Sequence, residues 1–288
     1  MKFFSKCLVL AVVILFAPTP FATEAVGTSC ADFVRVVPNL KLQQCMDAGL
    51  VDMQARSTKK RVLWGKDWTD EDAKLRVMVV GGIHGDEMSS VSLVFHWMEL
   101  ARHPLADTPL PIAWRFIPSL NPDGLLTRPA KRVNANGVDL NRNFPTPNWV
   151  RDARRYWETR TRKDPRRWPG SKPLSEPESQ FLFDQMNSFK PHLIVSVHAP
   201  YGVLDFDGPA VPPSRLGRLY LDQVGIFPGS LGNFSGVHKG VPVVTIELPS
   251  AVRTPTDAEM RQMWIDLLRW TTERLGPSIA SSASELPK

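Results

Sequence analysis

The sequence predicts an α/β domain with a mixed, mostly parallel central sheet flanked by helices. Two observations carry that expectation. Residues 75–80, 193–197 and 241–248 are short, nearly continuous apolar runs, the pattern of strands covered on both faces. Between them lie stretches whose apolar residues recur at helical spacing, so strand and helix signals alternate along the chain.

Taken in order, the run 75–80 predicts the first buried strand, and Val91, Val94, Phe95, Met98 and Ala101 keep helical spacing just after it. Residues 112–120 alternate as a strand and end at Asn121-Pro122-Asp123-Gly124, a strong turn signal. From 124 to 175 the chain is polar and rich in Pro and Arg, and reads mostly as loop; a connection of that length inside a compact domain is usually functional. Ser175-Glu176-Pro177-Glu178 reads as a capping box opening a helix through Phe181, Leu182, Met186 and Phe189. The strand 193–197 follows, and then the strand 241–248. Thr256-Asp257-Ala258-Glu259 reads as a second capping box, for a last helix with Met260, Met263, Trp264, Leu267, Leu268 and Leu275 on one stripe and Gly276-Pro277 as its stop.

The length, 288 residues, suits one domain with a sizeable core behind a leader. Residues 1–22 read as a secretory signal peptide: Lys2 and Lys6 precede an apolar run too short to cross a bilayer, and Pro18, Pro20 and small residues follow, with cleavage after Ala22 or Ala25. An uncleaved anchor is the alternative. Export to the periplasm or the medium follows from the first reading, with no stable membrane association after cleavage. Cys7 falls in the leader, which leaves Cys30 and Cys45. In an oxidising compartment that even pair is most simply a disulfide, otherwise two buried thiols. The expected organisation is leader 1–22, N-terminal lead-in 23–59, main domain 60–277 and tail 278–288.

Net charge is +6, from 35 Lys and Arg against 29 Asp and Glu, and much of it sits in the aromatic-interleaved stretch 151–167. A nucleic acid is not the expected partner of an exported protein. An anionic wall polymer is the better candidate, and a solvated surface excursion is the plainer reading.

The chemistry gathers at strand ends. Val79-Val80-Gly81-Gly82-Ile83-His84-Gly85-Asp86-Glu87 places His84 and Glu87 just past one apolar strand, and His198 ends another. A lone His there is more often a hydrogen-bonded structural residue. Together the three form the ligand set of a catalytic zinc, two imidazoles and a carboxylate with a fourth position open. In open α/β sheets such groups meet outside the carboxyl ends of the strands. Glu247, in Thr245-Ile246-Glu247-Leu248-Pro249, is a carboxylate at an apolar strand end, which needs a cation or a catalytic role unless it faces solvent. Its best use is as general base toward water at the open position. The loop 132–144 offers Arg132, Asn141 and Arg142 as donors for a carboxylate or a developing oxyanion, with Asp139 able to hold the far ring nitrogen of His84. Alone it would be a solvated basic turn.

From about residue 60 to 275 the chain resembles the zinc metallocarboxypeptidase family. His84, Glu87 and His198 resemble its ligands for a single Zn2+, Asn141-Arg142 its anchor for the substrate's terminal carboxylate, Arg132 its carbonyl-polarising arginine and Glu247 its general base. The resemblance implies an eight-stranded mixed sheet flanked by helices. One departure stands out: digestive members carry a Tyr at a spacing that lands near Gly225, and none of Tyr156, Tyr201 and Tyr220 fits it.

The segments 199–209 and 229–233 are similar to the murein peptide amidase branch, which implies cleavage of a γ-D-glutamyl–meso-diaminopimelate bond in a murein peptide. Asp205 or Asp207 could pair with the ammonium of that residue, or serve as turn-forming acids beside Gly208-Pro209. Two rivals remain: a deacylase of the aspartoacylase or succinylglutamate desuccinylase type, whose substrates are cytoplasmic, and a zinc-dead wall-binding protein, which would lack a ligand or base. No Gly-x-Ser-x-Gly elbow points to a serine hydrolase.

Overall fold

The structure is a computed structural model that describes residues 20–69, 72–103 and 111–276. All but the last three residues of the expected leader, and the whole of the expected tail, lie outside the described residues. Two helices come first, α1 (Pro20–Val34) and α2 (Leu42–Asp47), followed by strands β1 (Val51–Arg56), β2 (Val62–Trp68) and β3 (Leu75–Val80). Helix α3 (Met88–Arg102), strand β4 (Ile112–Ile117) and helices α4 (Pro122–Leu126), α5 (Trp149–Thr159) and α6 (Pro177–Phe189) come next. Strands β5 (Leu193–His198), β6 (Val203–Asp207), β7 (Arg215–Leu216), β8 (Leu219–Tyr220) and β9 (Val243–Glu247) and helix α7 (Asp257–Arg274) follow.

Among the described residues, seven strands form the central sheet in the order β1-β2-β4-β3-β5-β9-β6, where the resemblance implied eight; β7 and β8 pair separately. β4, β3, β5 and β9 run parallel, while β1, β2 and β6 pair antiparallel at the flanks. This is the expected mixed, mostly parallel α/β architecture. Side chains alternate across it. Val77, Val79, Val195, Val197, Val244 and Ile246 enter a core under α3 and α7, and Met78, Val80, Ile194 and Val243 enter a second core under α6. The first core is locked by indoles: Trp97 donates from Nε1 to the Met260 carbonyl at 2.9 Å, and Trp264 lies against Trp97 and Trp114 with ring centroids 5.3 and 4.6 Å away.

Several local expectations are corrected. β1 lies inside the expected lead-in 23–59 yet pairs with β2 as the sheet's edge; its burial is only partial, so its pattern is mixed. The Cys30–Cys45 disulfide, by contrast, forms as expected and joins α1 to α2, both cysteines being buried. Asn121-Pro122-Asp123-Gly124 opens α4 rather than a plain turn, because the Asn121 side chain accepts from Gly124 N–H at 2.8 Å and caps the helix.

The stretch 124–175 is not mostly loop. It contains α5, whose Trp149 and Ala153 are buried beneath an otherwise charged surface. Ser175–Glu178 does not form a capping box. Pro177 starts α6, Ser175 Oγ donates to Glu176 Oε1 at 2.7 Å, and Glu178 turns instead to Thr58 and Asn134. The second box forms as expected, with Thr256 and Glu259 exchanging hydrogen bonds at the start of α7, a cap of about 1 kcal/mol. Among the described residues, no helix is long and apolar enough to cross a membrane.

Candidate active site

The carboxyl ends of β3, β5 and β9 converge on one spot. β3 runs into the loop carrying His84 and Glu87, Glu87 being the residue that precedes α3. β5 ends on His198 and β9 on Glu247, and the two are register partners in adjacent parallel strands. Parity places the rest: Ser196 and His198, Thr245 and Glu247, and Asp205 and Asp207 alternate with the core residues of their strands and so share one sheet face.

His84, Glu87 and His198 are buried and offer ligand atoms that all lie within 4.8 Å of one another. The two Nδ1 atoms face each other at 3.1 Å, with Glu87 Oε1 2.8 Å from His84 Nδ1 and Oε2 2.9 Å from His198 Nδ1. Their far nitrogens are fixed from behind, His84 Nε2 by Asp139 Oδ1 at 3.0 Å and His198 Nε2 by Ser196 Oγ at 2.9 Å. Each ring is therefore oriented with Nδ1 toward the common point. Burial works against ionising Glu87, yet the two imidazoles hold its pKa far below the usual carboxylate range. Asp139 is likewise buried, and Arg132 and His84 keep it ionised.

Glu247 sits differently. Burial, helped by the charge of Glu87, pushes its pKa up against the opposing pull of His198. Its Oε2 is buried with no hydrogen-bond partner among the described residues, so an acceptor stands desolvated at the edge of the ligand cluster. Arg132 donates to Asp139 Oδ2 from Nε and Nη2 at 3.1 and 3.0 Å, and its Nη1 reaches Glu87 Oε1 at 3.3 Å.

Asn141 and Arg142 stand on a 3-10 turn, Leu140–Arg142, capped by the Asp139 side chain. Asn141 Oδ1 accepts from Leu231 N–H at 2.8 Å, which leaves its Nδ2 without a partner among the described residues. Arg142 is 4% exposed, and its guanidinium lies 4.4 Å from the Phe227 ring with Nε buried and unpaired. Burial pushes its pKa down to about 10, with Arg132 and Arg167 adding to the effect. A buried, unpaired cation is a ready receptor for an anion. Its carbonyl accepts from Trp149 Nε1 at 2.8 Å and is packed against Gly229, where any Cβ would overlap that oxygen and where φ is +76°.

His84, Glu87, Arg132, Asn141, Arg142, His198 and Glu247 line one cavity of about 470 Å3. Asp205 and Asp207 also line it, and both belong to β6 rather than to a turn, which removes the turn-forming alternative. Burial and Asp205 together push Asp207 up to about 6. Tyr156, Tyr201, Gly225 and Phe227 complete part of the wall. The stretch 151–167 is not merely a solvated excursion, since Arg160, Thr161, Asp164 and Arg167 face the same cavity. Sequence reasoning marked the stretch 151–167 as basic and aromatic without placing Arg160 or Arg167 in the site, and it missed Ser196. Ser196 was findable, two positions before His198 on one strand face.

The zinc carboxypeptidase family profile matches residues 50–205. The chain belongs to this family. Murein peptide amidase A of Escherichia coli K12 is 31% identical over 200 residues, spanning 67% of this chain and 79% of that protein. Carboxypeptidase SOL1 of Arabidopsis thaliana is 42% identical over 138 residues, 44% of this chain and 28% of its own length. Among solved structures, the murein-tripeptide amidase MpaA from Escherichia coli O157 superposes with a TM-score of 0.52 at 27% identity, covering 75% of this chain and 90% of that one. Carboxypeptidase A from Helicoverpa armigera gives 0.62 at 16% identity over 91% and 74%, a likeness of fold.

Membership makes the chain a hydrolase of a zinc-dependent family. The donor set fits that metal: two imidazole nitrogens and a carboxylate, preset by Asp139 and Ser196, with no fourth protein ligand in the cluster among the described residues.

Proposed function

We propose that the protein is a zinc carboxypeptidase that removes the last residue of murein peptides, cutting the amide between γ-D-glutamate and meso-diaminopimelate. The observation that carries the reading is the convergence of His84, Glu87 and His198 beside the unpartnered carboxylate oxygen of Glu247. The likeness to murein peptide amidase A supports the choice of substrate.

His84, Glu87 and His198 would hold the metal. When bound, zinc polarises the scissile carbonyl and acidifies a water molecule. Glu247, whose burial makes it readier to hold a proton than an ordinary carboxylate, takes the proton from the attacking water and delivers it to the leaving amine. Arg132 lines the same cavity and stabilises the negative charge that grows on the carbonyl oxygen. Arg142 and the free Nδ2 of Asn141 grip the terminal carboxylate of the leaving residue, which restricts cleavage to chain ends. Asp205 and Asp207 take its ammonium group; burial and the neighbouring Asp205 push Asp207 up to about 6, and neither carboxylate forms an ion pair among the described residues.

Residues 1–22 as an export signal and the buried Cys30–Cys45 disulfide support a periplasmic or secreted location, where murein is found. Incubating the zinc-loaded protein with L-Ala-γ-D-Glu-meso-diaminopimelate and with N-acyl amino acids, followed by mass spectrometry, tests the reading. Release of free diaminopimelate is expected. Deacylation without it would replace this function with that of a metabolite deacylase.

A further inference from the structure

The anchor at Asn141 and Arg142 accounts for one carboxylate of a substrate, yet the cavity lining carries two further arginines, Arg160 and Arg167, for which that anchor has no use. In the basic segment 151–167, Arg151 pairs with Asp152, Arg154 with Glu158 and Arg166 with Asp86. Arg155, Arg162 and Lys163 are exposed and stay out of the cavity. Arg160 and Arg167 line it, and neither pairs with a carboxylate among the described residues. The acid between them, Asp164, uses Oδ1 to accept Arg166 N–H at 2.9 Å as the cap of the 3-10 turn Pro165–Arg167.

Several contacts tie this wall to the anchor side of the cavity. Trp149, the first residue of α5, donates to the Arg142 carbonyl. Tyr156, one helix turn before Arg160, packs edge-on to Phe227 with centroids 5.7 Å apart, and Phe227 lies under the Arg142 guanidinium. The charge of Arg167 reaches Arg142 and helps to lower its pKa. Like charges held this close in a cleft repel one another until an anion enters. The same cavity carries Asp205 and Asp207 on β6, which no cation neutralises among the described residues. The lining therefore offers a carboxylate anchor, a second cationic patch beside it and an acidic pair.

We propose that Arg160 and Arg167 form a second anion site, which takes a side-chain carboxylate of the leaving residue while Asp205 and Asp207 take the ammonium on the same side chain. The inference rests on the murein reading above and sharpens it. It makes the preferred leaving residue a diamino diacid, whose side chain ends in a zwitterion, over a diamino monoacid of equal length. The stretch 151–167 then contributes specificity by pairing charge, with no part in bond breaking.

The test uses three tripeptides, L-Ala-γ-D-Glu followed by meso-diaminopimelate, by L-lysine, or by diaminopimelate amidated at its distal carboxylate. The full mature chain, zinc-loaded, is compared with Arg160→Ala, Arg167→Ala, the double variant and Arg167→Lys, all at exposed or half-buried positions. The wild type should prefer the diaminopimelate peptide over the other two in kcat/KM. The double variant should lose that preference by about tenfold or more, through KM and not kcat, as expected for a lost charge-assisted contact. Arg167→Lys should keep part of it.

Cleavage of all three peptides at equal kcat/KM by the wild type, or an undiminished preference in the double variant, would overturn the second anion site and leave the murein reading standing. Cleavage of none would overturn the murein reading and the inference with it.

Discussion

His198 and Glu247 are direct register partners across the parallel strands β5 and β9. The spacing between a metal-ligand candidate and the candidate base is thus set by the hydrogen-bond ladder of the sheet core, not by a loop. Catalytic groups mounted on such elements keep their geometry without ligand-induced ordering.

Glu247→Gln keeps the shape and removes the proposed base. Zinc content and melting temperature should stay near wild type, while kcat falls by at least about a hundredfold. Near-normal turnover by the zinc-loaded variant would exclude Glu247 as the proton acceptor.

His198→Ala and Glu87→Gln each delete one donor from a group whose atoms lie within 4.8 Å. Both variants should purify without stoichiometric zinc by elemental analysis. Zinc added at a thousand times its dissociation constant should stabilise the metal-free wild type by about 4 kcal/mol and the variants by far less. An equal shift in all three proteins would place the metal elsewhere.

Arg142 is a buried cation with an unmade hydrogen bond at Nε. Replacing such a charge by an apolar chain of similar length is often neutral or stabilising. Arg142→Met should therefore fold within about 1 kcal/mol of wild type or above it, yet lose about a hundredfold in kcat/KM on a free-carboxylate peptide. Full activity on that peptide would remove Arg142 from the anchor.

Asp207 is pushed up from 3.8 to about 6 by burial and by Asp205. Ionising it in the folded protein is harder than in the unfolded chain, so its contribution to stability is fullest below 3.8 and is lost as pH rises through about 6. Metal-free Asp207→Asn should match wild type in melting temperature near the low end of that window and exceed it well above the window. Binding of an ammonium runs the other way, because it requires the ionised form. KM for an ammonium-bearing peptide should rise in wild type as pH falls through about 6, and the variant's KM should be flat there. A wild-type KM with no inflection would detach Asp207 from the ammonium.

The Cys30–Cys45 disulfide closes a separation of 15 residues, and no residue between the two cysteines lines the cavity. Cys30→Ala with Cys45→Ala should cost about 3 kcal/mol in denaturant unfolding while leaving kcat unchanged. A matching loss of kcat would show that the N-terminal helices shape the site.

The sheet's centre was readable because strands covered on both faces must be apolar throughout, as 75–80 and 193–197 are. Its edge was not: β1 is half-solvated and its polar residues hide it. His84, Glu87, His198 and Glu247 drew attention because polar side chains end apolar strands. Helix α5 stayed hidden because only Trp149 and Ala153 are buried in it, too few to mark an apolar stripe, and the arrival of Arg160 and Arg167 at the cavity depends on how that helix folds back, a tertiary fact no local pattern encodes. The capping box expected at Ser175 failed for a similar reason, since Glu178 found better partners in Thr58 and Asn134, far away in the chain.

Gly229 offers no side chain to a substrate, but it leaves the Arg142 carbonyl space that any larger residue would occupy. A methyl group added there would push the 3-10 turn aside and swing the guanidinium off its perch above Phe227, spoiling recognition from a distance. The proposed grip on a terminal carboxylate therefore depends on a bare α-carbon as much as on a charge, and the freedom that would loosen it is surrendered when the chain folds, before any peptide arrives.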